Sequence, residues 1–441
     1  MRISSTMMSN NYLKQLNGTY EQYSKLMEQA DGSKLHRASD NAVGYSKYLR
    51  YQNNQISNEQ YQSNVSTAAS WMKNADAALV NVTDLLQTFK AKVEQGSNST
   101  NNESDMKDIA KELLANVQEQ VADLNTQIGD RFLFAGQKDT TMPFEISADK
   151  MSRGDTFTLD EKQSAFFSGA TSWGDENTTV KQMLKLNGDD GNSYYMNVNT
   201  GDVYTEDFVK NGYKNEDKFD PAKQRVGNIT AITDPPTAYK VSDHFDQYGV
   251  IKTDAGVGTN AKYNVTVDGK QVNLKLSTTK QYIVKYAGDD KYISMVKKNG
   301  GVDKATDTVN ITGQDINGCD LFDVGNDPHS GTARLNQLLY TVAKLDGADY
   351  KWAGEQGMTI ADSAHATVLG AQTKMAARQQ AYNSSSSMLV TQNESITSDI
   401  SDVSSTDVAL LATKLMEYQT IYSLSLSVGS KILPGTLADY L

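Results

Sequence analysis

The residues able to do chemistry are few and far apart. Four histidines, His36, His244, His329 and His365, are scattered over a chain of 441 residues. No two stand four apart and no His-Glu-x-x-His occurs, so no helix face presents the paired imidazoles that a zinc peptidase needs. Cys319 is the sole cysteine, which excludes an intramolecular disulfide and Cys-x-x-Cys metal or redox chemistry. Gly256-Val257-Gly258 lacks the third glycine and the following helix that would hold a dinucleotide. The acidic runs at Asp189-Asp190 and between Asp315 and Asp320 do not follow the spacing of an EF-hand loop and read as turns. The sequence predicts no enzyme, no cofactor and no metal site.

Composition narrows the classes further. A net charge of −12 and a pI near 4.9, with no visible basic patch, argue against a nucleic-acid surface. No unbroken apolar run approaches membrane-spanning length, and Met1-Arg2-Ile3-Ser4-Ser5 opens no apolar signal core. The expectation is a protein that stays inside the cell or leaves by a route that reads no cleaved signal. With 38% hydrophobic residues, 441 positions can fill two or three domains.

Proline marks where those domains fall. Pro143, Pro221, Pro235, Pro236 and Pro328 lie in the middle of the chain, none precedes them, and only Pro434 follows. Proline inside a helix costs about 3 kcal/mol, so the proline-free arms are suited to long helices. The sequence is therefore read as three segments: a helical arm over 1–142, a β-rich insert over 143–329, formed as one domain or two small ones, and a second helical arm over 330–441. The fold class is α+β, with the two arms pairing as a long coiled-coil bundle, a rod, around which the insert is hung.

The pairing rests on two stripes. Val65, Ala68, Met72, Ala75, Leu79, Val82, Leu86, Phe89 and Val93 recur at alternating steps of three and four, which keeps one apolar seam facing a neighbouring helix. Val368, Met375, Tyr382, Leu389, Ile396, Val403 and Leu410 follow at intervals of seven, with small or polar companions such as Ala371, Arg378, Ser385, Gln392 and Asp399. The second stripe predicts one long helix burying a thin seam against the first.

Other helices flank these. Leu13, Leu16, Tyr20, Tyr23 and Met27 form a stripe that Asp31-Gly32 breaks, and Ser39 is expected to cap the helix that starts near Asp40 and ends near Gly96. Met106, Ile109, Leu113, Val117, Val121, Leu124 and Ile128 predict a third helix, and the three should fold back as a bundle. Helix returns near Thr332, with Leu335, Leu338, Val342 and Leu345, and the last stripe runs through Val408, Leu411, Leu415, Tyr418, Tyr422 and Leu426.

Between the arms the period changes to two. Tyr263, Val265 and Val267, then Asp268-Gly269, then Val272, Leu274 and Leu276 predict a hairpin. Gln281–Tyr286 and Lys291–Val296, joined by Ala287-Gly288-Asp289-Asp290, are expected as a second hairpin. Leu184 and Leu186, then Tyr195 to Val198, with turns at Asp189–Asn192 and Asn199–Asp202, suggest further strands.

Three short segments then carry a resemblance. Arg131-Phe132-Leu133-Phe134-Ala135-Gly136-Gln137-Lys138, followed by Pro143-Phe144, resembles the segment closing the N-terminal helical region of the flagellin-like hook-associated proteins. Ser423 to Leu433 and Leu437-Ala438-Asp439-Tyr440-Leu441 are similar to that family's C-terminus. Gly32 to Ala42 resembles its basic turn ending in Ser-Asp-Asp-Pro, with Asn41 and Ala42 in the last two places. The resemblance covers both arms and leaves the insert unmatched. It implies a structural subunit of the bacterial flagellum, exported by the flagellar type III apparatus and placed as a ring at the hook–filament junction. Its implied partners are another hook-associated protein, flagellin, further copies of itself and an export chaperone on the C-terminal helix. It implies neither membrane nor nucleic-acid binding.

The physics of the ends predicts assembly by a separate route. Ordering a residue costs about 1–2 kcal/mol of backbone entropy, which roughly 30 residues at each end recover only by burying many side chains at about 1.5–3 kcal/mol each. Both ends are therefore expected to become ordered against neighbouring subunits. The expected interface comprises Ile3, Met7, Leu13, Leu16, Tyr20, Tyr23, Met27, Ser39 and Asp40 in the first arm. In the second arm it comprises Leu411, Leu415, Tyr418, Tyr422, Leu426, Ile432, Leu433, Leu437, Tyr440 and Leu441. Two other readings stay open: a filament subunit of the flagellin type, and a surface adhesin whose β insert binds a ligand.

Overall fold

The structure, a computed structural model, describes residues 5–39, 41–168, 180–197, 200–216, 218–228, 263–297, 307–318, 321 and 331–432. Six long helices carry the arms: α1 (Ser5–Glu28), α2 (Ala42–Gly96), α3 (Glu103–Leu124), α4 (Ala333–Asp346), α5 (Met358–Ser404) and α6 (Val408–Ile432). The chain divides into two compact units, residues 1–66 with 384–441 and residues 67–383. As the sequence leads one to expect, the class is α+β, with helical ends and a β-rich middle.

Both long stripes are buried. All nine α2 positions from Val65 to Val93 are at most 1% exposed, and Val368, Met375, Tyr382, Leu389 and Ile396 of α5 are buried too. In the larger unit, Lys90 of α2 pairs with Asp362 of α5 at 2.5 Å. In the smaller unit the same two helices are joined by Asn58 donating to Gln392 (3.3 Å) and Gln62 donating to the Leu389 carbonyl (3.2 Å). The seam ends earlier than its heptads: α5 stops at Ser404, so Leu410 lies beyond the break and is exposed. Asp407 causes that break, because its carboxylate accepts from the Ala409 and Leu410 amides and starts a new helix.

Two other helix boundaries move for similar reasons. Asn41, not Ser39, caps α2: its side-chain oxygen accepts from Gly44 N at 2.9 Å, while Ser39 is exposed in the preceding turn. α3 opens on a reciprocal capping box between Asn102 and Asp105 and closes at Leu124. Ile128 therefore sits in a two-residue strand, β1 (Gln127–Ile128), paired with β2 (Arg131–Phe132), instead of extending the helix. Asn125 explains the stop, since its side chain both donates to and accepts from the Phe144 backbone, at 2.8 and 3.0 Å.

The three-helix bundle expected of α1, α2 and α3 is corrected as well. α3 lies in the larger unit, where Asn116 donates to the Leu85 carbonyl of α2 and Lys92 of α2 meets Glu112. α1 lies in the smaller unit and pairs with α6.

The insert holds a seven-stranded antiparallel sheet ordered β10 (Tyr263–Val267), β11 (Lys270–Leu276), β6 (Gln182–Gly188), β7 (Ser193–Asn197), β8 (Asp202–Thr205), β9 (Gly227–Asn228), with β5 (Thr156–Thr158) on the first residues of β6. The hairpin β10–β11 turns at Asp268 and Gly269, both at positive φ, as a two-residue turn between twisted strands requires. Alternation buries both faces: Leu184, Leu186, Tyr194 and Met196 enter one cluster, Met183, Tyr195 and Tyr204 the other with Phe157 and Phe167.

The second predicted hairpin does not form. β13 (Val284–Tyr286) pairs with β3 (Phe144–Ile146), and β12 (Thr278–Gln281) pairs with β4 (Met151–Gly154), so strands distant in sequence replace the local turn. Residues 291–297 instead run with 307–312 along α5. There the Tyr382 hydroxyl donates to the Asp307 carbonyl (2.8 Å), Arg378 donates to the Asn310 carbonyl (2.7 Å), and buried Lys297 pairs with Asp307 beneath the Tyr382 ring. The polar companion Arg378 of the α5 stripe is thus a fastening for this segment.

A candidate assembly face on the terminal helices

The smaller unit ends in a helix pair with one layer. At its base the chain crosses itself: Lys34 N donates to the Ser404 carbonyl (2.7 Å), Thr406 N donates to the Gly32 carbonyl (3.0 Å), and Ser33 and Ser405 form an antiparallel bridge. Gly32, at φ +95°, ends α1 in the left-handed conformation that lets the chain turn into this clasp. The Lys34 ammonium adds a bond to the Asp402 carbonyl at 3.2 Å, and exposed Arg37 and half-buried His36 reach back to Glu28 and Asp31. Leu35 is buried beneath the turn.

Beyond the clasp the two helices run side by side. The Tyr20 and Tyr422 rings stand 5.7 Å apart, and Tyr12 donates to the Ser425 carbonyl at 2.8 Å. Leu16, Tyr23, Leu415, Tyr418 and Tyr422 are half-buried, and Leu411 is buried. Met7, Leu13, Tyr20, Met27 and Leu426 are exposed. Ile432 ends α6, with its side chain outside the described residues, as are Ile3, Asp40, Leu433, Leu437, Tyr440 and Leu441.

α6 is apolar on more than one face. Its stripe against α1 leaves Val408, Met416, Ile421, Leu424 and Val428 facing outward, Met416 at 69% and Leu424 at 60% exposure. A helix apolar all round is ordinarily enclosed. Met8 and Tyr12 from α1, with Ile421, Leu424 and Val428 from α6, also line a groove of about 420 Å³. The chemistry available is association through apolar area. Among the described residues, no group of three His, Cys, Asp or Glu side chains could hold a metal ion.

The clasp and the outer face of α6 were not among the residues singled out by spacing. Ile421, Leu424 and Val428 do repeat at three and four, so a second stripe was readable beside the first. The clasp leaves no periodic signal because it is made of backbone groups.

Comparison with known proteins places this geometry. Residues 3–139 match the family model described as the bacterial flagellin N-terminal helical region. The first arm is thus similar to that region. A flagellin of Salmonella montevideo is 26% identical over 302 residues, covering 59% of this chain and 58% of that protein. A flagellin of Salmonella dublin is 25% identical over the same length, with the same shares. The chain thus spans less than two thirds of the length of these relatives. Solved structures resemble it more loosely. One described as a flagellar hook-associated protein from Vibrio parahaemolyticus is 14% identical, with a TM-score of 0.44, over 83% of this chain and all of that one. The flagellar junction protein FlgL from Legionella pneumophila is 13% identical, with a TM-score of 0.33, over 76% and 98%. The matched flagellin-type region contains α1, α2 and α3 and ends at Asp139, whose carbonyl accepts from Phe132 N and closes the turn that holds buried Leu133, Phe134 and Ala135.

Proposed function

We propose that this flagellin-like chain is a structural subunit of the bacterial flagellum, placed at the hook–filament junction, and that α1 and α6 are its assembly elements. The observation that carries the reading is the helix pair in which, among the described residues, α1 and the turn after it cover one side of an α6 apolar on several faces and leave Met416 and Leu424 more than half exposed. Each such side chain gains about 1.5–3 kcal/mol on full burial, so a neighbouring subunit laid over the pair is strongly favoured. The interface residues from Met7 to Met27 and from Leu411 to Leu426 then share one surface. Its partners are another hook-associated protein on one side and flagellin on the other, with copies of the chain forming a ring between them.

Before assembly the same surface needs cover, which fits a dedicated export chaperone over Leu411 to Leu426 and delivery through the flagellar type III apparatus to the cell exterior. Deleting the final 40 residues should lose the chaperone in a pull-down; retained binding contradicts the assignment. Immunogold labelling of intact flagella decides the position. Signal confined to the hook–filament boundary supports the junction role. Signal along the whole shaft supports the second reading, a filament subunit, which the flagellin relatives favour.

A further inference from the structure

Among the described residues, the buried cation at the start of α4 has no counter-charge. Arg334, 3% exposed, donates from Nε to Asn317 Oδ1 at 2.8 Å and from Nη1 to Gln120 Oε1 at 2.5 Å. Both partners are neutral amides. Gln120 is fixed in turn by donating to Asn116, and Asn116 by donating to the Leu85 carbonyl. Two buried donors remain without a partner, Arg334 Nη2 and Asn317 Nδ2. The guanidinium fork aims Nη2 the same way as Nε, toward Asn317, the residue that carries the other unused donor. Arg334 sits in the first turn of a 14-residue helix, whose free amides add positive potential, and Asn317 closes the short helix Gly313–Asn317. Asp315, on the helical turn that carries Asn317, is engaged by Thr312, Tyr292 and Lys374.

We propose that Arg334 and Asn317 form a buried site for one small monovalent anion of the halide class. A single negative charge neutralises the guanidinium, whereas a divalent oxyanion would leave an uncompensated charge in the same buried volume. Burial pulls the Arg334 pKa down to about 9, still above neutrality, so the group is a cation where the protein works. The anion would fasten α4 to α3 and to the 313–317 turn.

The test is thermal unfolding of the full chain with chloride replacing gluconate at constant ionic strength. Once chloride is far above its dissociation constant, each tenfold increase should raise the folding constant about tenfold. Arg334→Met should abolish the dependence. A wild-type curve flat in chloride, or an equal response in the variant, overturns the site. Should the variant not fold, bromide-soaked crystals of the wild-type chain decide: an anomalous peak against Arg334 Nη2 and Asn317 Nδ2 is expected, and its absence overturns the proposal.

Discussion

Tyr12 of α1 packs on the bare backbone of Gly429 in α6. The ring approaches so closely that a Cβ at position 429 would overlap the tyrosine hydroxyl, and that hydroxyl donates to Ser425 one turn earlier. This contact sets the register of the helix pair far from the clasp at residues 32–34 and 404–406. Gly429→Ala should therefore push the Tyr12 ring aside and loosen the upper part of the pair. Amide exchange over α1 and α6 should accelerate, and Tyr12→Ala in the same chain should restore part of the protection.

The two classes of apolar stripe should respond oppositely to charge. Leu86→Asp places a carboxylate at a fully buried α2 position and should unfold the larger unit. Met416→Asp and Leu424→Asp, on the open face, should leave the thermal midpoint of the monomer within a few degrees while abolishing association with partner subunits. Sedimentation of the variants against wild type reads both outcomes. Assembly that survives the two α6 substitutions removes this face from the interface.

Gly136 should not tolerate a side chain. It sits at φ +71°, and a Cβ there would lie 2.1 Å from the Asp289 carbonyl oxygen, which the Tyr286 hydroxyl also uses. Gly136→Ala is expected to cost more than about 1 kcal/mol through strain and displaced backbone. Circular-dichroism melting would show it as a lowered midpoint.

The β6–β7 turn should loosen in acid. Hydrogen bonds from the Asn273 side chain and backbone hold Asp189 below the usual carboxylate range. Bonds from the Tyr194 hydroxyl and from Asn192 do the same for Asp190. Because both folded values are depressed, their contribution is fully present above the unfolded value of 3.8 and is lost as pH falls below it. Exchange at the Asn192 and Asn273 amides, measured down through that range, should rise relative to the core of β6; an unchanged ratio contradicts the assignment. The same Asp190 contact, added to burial, pushes the Tyr194 hydroxyl up to about 12. Asp190→Asn should lower its ultraviolet titration midpoint.

The carboxylates of that turn show how much a sequence can disclose about chemistry. Asp189 and Asp190 read as turn residues because no ligand spacing surrounds them, and the structure finds them engaged by Asn273, Asn192 and Tyr194. The hairpin expected at 281–296 failed for a complementary reason. Its two halves carry the right period, but β3 and β4, more than a hundred residues away, take the pairing in place of the local turn.

Periodicity alone settled which side chains of α2, α3 and α5 face inward, because the helical repeat ties spacing to one face whatever lies opposite. It likewise fixed the β character of the middle. Tertiary structure decided the partners: α1 beside α6, the clasp between residues 32–34 and 404–406, the break at Asp407, and above all how much of α6 is left uncovered. Those depend on groups hundreds of positions apart meeting in space, and on backbone hydrogen bonds that no side-chain pattern encodes.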